Sequence, residues 1–349
     1  MVINNKPIGV SILCLAYNHE QFIADAIDGF LMQKTSFPFE IIIHEDASTD
    51  GTANIIRTYE EKYPGIIKPI YQTENQYSKG ININTEFMLP LAKGKYVALC
   101  DGDDYWTDPL KLQKQYDALE SHPDCLMCLH KVLDYNALAE EKQKKKYLPK
   151  LNLQSGVVSS DTFFDIVGNG DFFNEVCYFF NAEAYKEYQS SYPKFAQLYM
   201  KNKTDDMPML LYFGNKANVY YISDKMAVYR RFNVGSWSSS QTKKSKEQMA
   251  AFFKNSVEAI DEFHKFSNNT HASQMNYIRR FFQFNYFAST EQYREMLSSE
   301  FDCVWIKQSK KYKTRIKLLS DNRQLWGLIF DAYDRVKHLK NIFLYILCD

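Results

Sequence analysis

The chain has no long apolar run. No hydrophobic stretch reaches the ~18 residues of a membrane span, and residues 1–9 hold no extended apolar segment of the signal-peptide kind. Both absences point to a cytoplasmic protein. Neither sign of charge dominates: 42 acidic residues balance 42 basic ones, which removes the electrostatic case for nucleic acid as a partner. Cysteines lack a framework. The seven are scattered, and their odd number and mostly apolar surroundings suit reduced thiols. Cys125 and Cys128 have C-x-x-C spacing but sit in the strand-like run 124–129, with no second pair at zinc spacing. The phosphate-cradling Gly-x-x-x-x-Gly-Lys-Ser/Thr loop and the Gly-x-Ser-x-Gly elbow are absent. None of the seven histidines forms a metal-spaced pair.

What is present is apolar patterning of two alternating periods. At 349 residues, with 25 Tyr and 25 Phe, the chain can bury a sizeable core in one large domain or two modest ones. Apolar runs at 10–16, 39–43, 66–70 and 96–100 predict buried strands. Between them, Phe22, Ile23, Ala26, Ile27, Phe30 and Leu31, then Ile55, Ile56 and Tyr59, recur at helical spacing, and a helix is expected over 85–92. Strands alternating with helices predict an α/β fold with a mostly parallel central sheet flanked by helices. Further strands are expected at 219–222 and 226–229. The charge-rich stretch 140–146 reads as a solvated connection. From Lys243 onward the pattern is helical, notably at 249–266 and 275–287, which predicts a helical C-terminal appendage.

Ligands of such sheets bind at the carboxyl ends of the strands. Asn18, Asp46 and the cluster Asp101-Gly102-Asp103-Asp104 all follow strands. Three carboxylates so close repel one another unless a cation sits among them. Hard ions such as Mg²⁺ or Mn²⁺ suit that role and bind nucleoside diphosphates as well. A second acidic group, Asp205-Asp206-Met207-Pro208, has the composition of a helix start.

In order along the chain, several segments form a set. They are Val10-Ser11-Ile12-Leu13-Cys14-Leu15-Ala16-Tyr17-Asn18, Glu45-Asp46-Ala47-Ser48-Thr49-Asp50-Gly51-Thr52, the stretch from Lys93 through Asp101-Gly102-Asp103-Asp104-Tyr105-Trp106, and Tyr229-Arg230-Arg231. Over residues 8 to 238 this set resembles the family 2 glycosyltransferases, which build bacterial surface glycans such as capsule and lipopolysaccharide. The resemblance implies a glycosyltransferase-A fold, with residues 1–107 as nucleotide-binding half, 108–240 as acceptor half and 241–349 as the helical region. It implies inverting transfer from a UDP- or GDP-type sugar donor to a hydroxyl of a glycan or lipid-linked acceptor.

The resemblance also implies roles for residues. Ala16, Tyr17, Asn18, Asp46, Asp101 and Gly102 would line the nucleotide, Asp46 having helix capping as its other reading. Asp103 would hold Mn²⁺ or Mg²⁺, joined by Asp101 and Asp104. Trp106 would stack on donor or acceptor, or else fill core. Asp206 would act as the base that takes the acceptor proton, with Asp205 in reserve. Two departures from the family pattern shift the expected diphosphate contacts. No His follows Tyr229-Arg230-Arg231, so Arg230 and Arg231 are candidates. Gly80-Ile81-Asn82-Ile83-Asn84 lacks the family's Arg, and Lys79 is the candidate there. The competing readings are a sugar-nucleotide-binding or assembly protein without turnover, and a nucleotidyltransferase. The latter needs a Gly-rich, Arg-containing loop after the first strand, and Ala16-Tyr17-Asn18-His19-Glu20 is not one. The basic run 307–317 and the amphipathic stretch 325–347 read first as the solvated face of packed helices, and otherwise suit contact with the inner face of the cytoplasmic membrane or a homodimer interface.

Overall fold

A computed structural model describes residues 6–139, 145–233, 236–321 and 324. The stretch 325–347, expected to be amphipathic, lies outside the described residues. The strands are β1 (Val10–Ala16), β2 (Phe39–Glu45), β3 (Ile67–Tyr71), β4 (Tyr96–Leu99), β5 (Tyr105–Trp106), β6 (Cys125–Asn136), β7 (Lys145–Leu148), β8 (Gly156–Val158), β9 (Phe179–Asn181) and β10 (Asn218–Arg231). The helices are α1 (Ile23–Leu31), α2 (Thr52–Lys62), α3 (Lys111–Ser121), α4 (Ser160–Gly168), α5 (Ala182–Ser191), α6 (Lys194–Met200), α7 (Asp206–Lys216), α8 (Trp237–Gln241), α9 (Lys246–Phe266), α10 (Ala272–Ser289), α11 (Asp302–Trp305) and α12 (Lys310–Asp321).

One sheet runs in the order β3-β2-β1-β4-β9-β6-β10-β5, with β7 beside β6 and β8 beside β10. β3, β2, β1 and β4 are parallel neighbours, as are β6 and β10. β1 and β2 are nearly all buried, as strands covered by helices on both faces must be. Pro69 sits in β3, the edge strand, where a missing N–H costs no ladder bond. The register Ala16 to Glu45 and Leu13 to Leu99 sets the carboxyl ends of β1, β2 and β4 side by side. Asn18, Asp46 and Asp101 therefore leave the sheet at one edge.

Three expectations change. The strands expected at 219–222 and 226–229 are one strand, β10, whose register against β6 shifts twice between Ile222 and Ala227. That irregularity exposes Asp224 and Lys225 and gives the sequence the look of a turn. The helix expected over 85–92 is a π turn (Asn84–Met88) followed by a 3₁₀ turn (Leu89–Leu91). Pro90 has no N–H to continue an α-helix. The expected solvated connection at 140–146 is partly strand, because Lys145 and Lys146 pair with Tyr135 and Asp134 through β7.

The C-terminal helices are not a separate layer. Ala259, Ile260 and Phe263 of α9 and Met275 and Ile278 of α10 belong to the same core as the sheet. Phe263 stacks on Phe164 of α4, with ring centroids 5.4 Å apart. A smaller cluster of Phe284, Met296, Phe301, Val304 and Ile316 ties α11 and α12 to α10. Among the described residues no helix is long and apolar enough to cross a membrane.

Candidate active site

The acidic cluster forms a tight turn that leaves β4. Asp104 N donates to Asp101 O at 3.1 Å, and Gly102 N donates to Leu15 O at 2.8 Å, pinning the turn to the end of β1. A Cβ on Gly102 would stand 2.8 Å from Ile23 Cδ1 and 2.9 Å from His19 Nδ1. The space that glycine leaves is filled by the tips of these two side chains.

The second acidic pair comes to the same place from over 100 residues away. β9 pairs antiparallel with β4 (Ala98 to Phe179), and Leu99 N donates to Tyr178 O at 3.2 Å. This sets the turn at Glu175–Cys177 beside the end of β4. Asp206, the first residue of α7, meets the Glu175 carboxyl side chain to side chain. Tyr178 Oη, 2.9 Å from Phe173 O and 3.4 Å from Asp206 O, fixes both segments.

The electrostatics follow from crowding. Burial, with the charges of Asp103 and Asp206 added, pushes the Asp101 carboxyl up to about 8. Burial raises Glu175 well above the usual carboxylate range, and the charges of Asp101 and Asp206 and its hydrogen bond to Asp206 add to the rise. Asp206 is raised by burial too, but the hydrogen bond from Glu175 opposes the rise. Both carboxyls of this pair are held above the usual carboxylate range, Glu175 the more strongly. Asp205 is pushed up to about 6 by burial, although Tyr188 Oη donates to it at 2.6 Å. All four acids are partly exposed.

The remaining expected site residues are mostly engaged in building the surroundings of these acids. Asp46, fully buried, accepts from the backbone N–H of Gln76 at 2.7 Å and of Tyr77 at 3.1 Å. It clamps the loop before Gly80 and does not cap α2. Tyr77 Oη donates in turn to Lys203 O at 3.1 Å, so this loop bridges the two halves above the acids. The Tyr77 hydroxyl is raised by burial and by the charges of Asp101, Asp206 and Glu175. Ala16 is buried, and its carbonyl accepts from Asp46 N. Asn18, at φ +55°, accepts from Thr49 N at 2.8 Å, and Tyr17 is exposed beside it.

Five of the expected residues are engaged by other groups of the protein. Trp106 is 2% exposed and packs edge-on against Phe30 with Lys111 Nζ over its ring. It is core, with no face for a sugar. Asp104 is buried, and its Oδ1 accepts from Arg230 N at 2.7 Å, which clamps β10 to the turn. Arg231 forms a two-bond pair with Asp134 (2.6 and 2.7 Å) that ties β10 to β6. Arg230 donates to Asp103 O at 3.0 Å, pairs with Asp25 and lies 4.2 Å from the Tyr105 ring centre. Both guanidinium groups tie β10 to neighbouring segments. Lys79 is about half exposed and pairs with Glu74.

Glu175 was not among the expected residues. It precedes a strand of only three residues, and the single cue in the sequence is an acid after Phe172-Phe173-Asn174. Among the described residues no group of three or more acidic, imidazole or thiol side chains is placed to hold a metal ion.

With this geometry in view, the comparisons with known proteins agree on one family. The model of "Glycosyl transferase family 2" matches residues 11–188. An uncharacterized protein of Mycobacterium tuberculosis is 35% identical over 241 residues, 68% of this chain and 63% of its own length. The chain therefore spans just under two thirds of that relative. The Escherichia coli enzyme WfaP, named as a UDP-Glc:α-D-GlcNAc-diphosphoundecaprenol β-1,3-glucosyltransferase, is 37% identical over 112 residues, 32% of this chain and 41% of WfaP. Among solved structures, S. aureus TarS 1–349 in complex with UDP superposes with a TM-score of 0.55 at 17% identity, covering 86% of this chain and 78% of that one. That likeness supports the glycosyltransferase-A-like fold. The chain belongs to glycosyl transferase family 2.

Proposed function

We propose that the chain moves a sugar from a nucleotide-diphospho-sugar to a hydroxyl of a surface glycan, or of its lipid-linked precursor, with inversion at the sugar carbon. The observation that carries this reading is the meeting of Asp101 and Asp103, after β4, with Asp206 and Glu175, at the start of α7 and before β9. Displacement needs an anion-stabilising group on the leaving side and a base on the attacking side. In this reading Asp206 is the base. Glu175 keeps the proton of the pair, so Asp206 is free to accept the one released by the acceptor hydroxyl as the new bond forms.

The leaving side would be held by Asp103 and Asp101. Their carboxylates are hard oxygen donors crowded together, and the nearby Arg230 guanidinium is shared between the Asp103 carbonyl and Asp25. They fit a divalent ion as an open two-carboxylate anchor. When bound, such an ion stabilises negative charge growing on the departing diphosphate. The nucleoside would lie along Tyr17, Asn18 and the loop that Asp46 clamps. UDP in the TarS structure and the UDP-Glc and diphosphoundecaprenol of the WfaP name support a UDP-type donor and a lipid-linked acceptor.

The test is release of nucleoside diphosphate from a panel of UDP- and GDP-sugars with Mn²⁺, in the parent and in Asp206→Asn. Removing the base should slow transfer by about 10²–10⁴-fold while nucleotide binding stays intact. Full turnover by Asp206→Asn would remove the assignment.

A further inference from the structure

We propose that the face formed by Leu151, Phe172 and Ile306, together with the cation-rich start of α12, docks on an anionic phospholipid surface. Three segments far apart in sequence meet there. The Asp171 carboxylate accepts from the backbone N–H of Lys150 and of Leu151, both at 2.9 Å. Lys307 Nζ donates to Asn169 O at 3.4 Å and lies 3.7 Å from the Tyr277 ring centre. Lys150 is close enough for its charge to help lower the Lys307 ammonium, after burial.

The side chains at this junction are unusual for a soluble surface. Ile306 is 78% exposed, Leu151 47% and Phe172 37%. Lone exposed apolar residues need no explanation, but a group of them ringed by lysines does. From Ile306 to Ser320 the chain carries Lys307, Lys310, Lys311, Lys313, Arg315 and Lys317 and no acid. Glu300 and Asp302 lie just before this stretch. Apolar side chains that insert between headgroups, inside a ring of cations, are complementary to an anionic bilayer surface.

The position supplies the purpose, and here the inference rests on the reading of a lipid-linked acceptor. Phe172 is three residues from Glu175, a span of at most about 11 Å. A membrane touching Phe172 would present the sugar of an embedded acceptor at the mouth of the cleft, next to Asp206.

The test is co-sedimentation of the full chain with vesicles of phosphatidylcholine containing phosphatidylglycerol, against vesicles of phosphatidylcholine alone. The parent should bind only the former, and less as salt rises. Lys310→Glu combined with Lys313→Glu should weaken binding about 25-fold or more, at roughly fivefold per charge. Ile306→Asp should weaken it as well. Both variants should melt like the parent, since these side chains are not in the core. Unchanged binding by Ile306→Asp, or equal binding to both vesicle types, would overturn the proposal. So would a parent that is dimeric in solution and becomes monomeric on Ile306→Asp, because the face would then belong to a second copy. A parent that binds anionic vesicles yet turns over no sugar nucleotide would uphold the docking face and remove the reading of the reaction.

Discussion

Glu175 and Asp206 are two buried acids in side-chain contact, and in the proposed reaction Glu175 keeps the proton of the pair. A neutral amide at 175 can still donate to Asp206, whereas a methyl cannot. Glu175→Gln should therefore retain most of the parent's turnover. Glu175→Ala should lower kcat by about tenfold or more with little change in donor KM, the split expected when a base loses its orientation. Steady-state kinetics on both variants check this, and equal loss in the two would deny the positioning role. At this scale the sequence was partly legible. Asp101, Asp103, Asp205 and Asp206 stand out because each acidic group is contiguous and follows or opens a regular element. Glu175 does not stand out, because its importance comes from the pairing of β4 with β9, which no local pattern encodes. Trp106, Arg230 and Arg231 misled for the opposite reason. Their residue types suit sugars and phosphates, but Phe30, Asp25 and Asp134 claim them, and those partners lie 76, 205 and 97 positions away.

Among the elements, the turn between β4 and β5 is the most constrained. It is held to β1 through Gly102 N and to β10 through the Asp104 carboxylate. Gly102→Ala would drive a methyl to within 3 Å of Ile23 and His19. Overpacking of this kind costs about 1–3 kcal/mol, so the melting temperature should fall, with a larger loss of turnover because Asp101 and Asp103 move with the turn. A thermal melt and an activity assay on one preparation separate the two effects. A melting temperature equal to the parent's would mean that the turn yields easily. The strands after which the site residues emerge were legible from apolar runs alone, since a strand buried on both faces has little choice of composition. The short strands β5, β8 and β9 were not, at two or three residues each. Nor was the continuity of β10, whose exposed middle carries the polar residues of a turn.

The molecule as a whole bears a pH-dependent load from its acids. The Asp101 and Asp205 carboxyls rise from 3.8 to about 8 and about 6 on folding. Between their unfolded and folded values the native state binds more protons than the unfolded one, so stability declines as pH rises through that window and stays low above it. The protein without metal should melt at a lower temperature at about pH 8 than at about pH 5, and Mn²⁺ should raise the melting temperature more at the higher pH. Scanning calorimetry with and without the ion tests this, and a metal effect independent of pH would count against ligation by Asp101. The α/β class and the helical character beyond Lys243 were both readable in the sequence. The sharing of one core by sheet and helices was not, because periodicity says which face of a helix is apolar and not what covers it.

That shared core has a consequence for synthesis. α4 and α6 precede the partners they rest on, since Phe164 and Phe195 pack on Phe263 of α9. Until α9 has been made, the aromatic underside of both helices is bare. The nascent enzyme must keep that surface from sticking to other chains until α9 and α10 emerge and seal it.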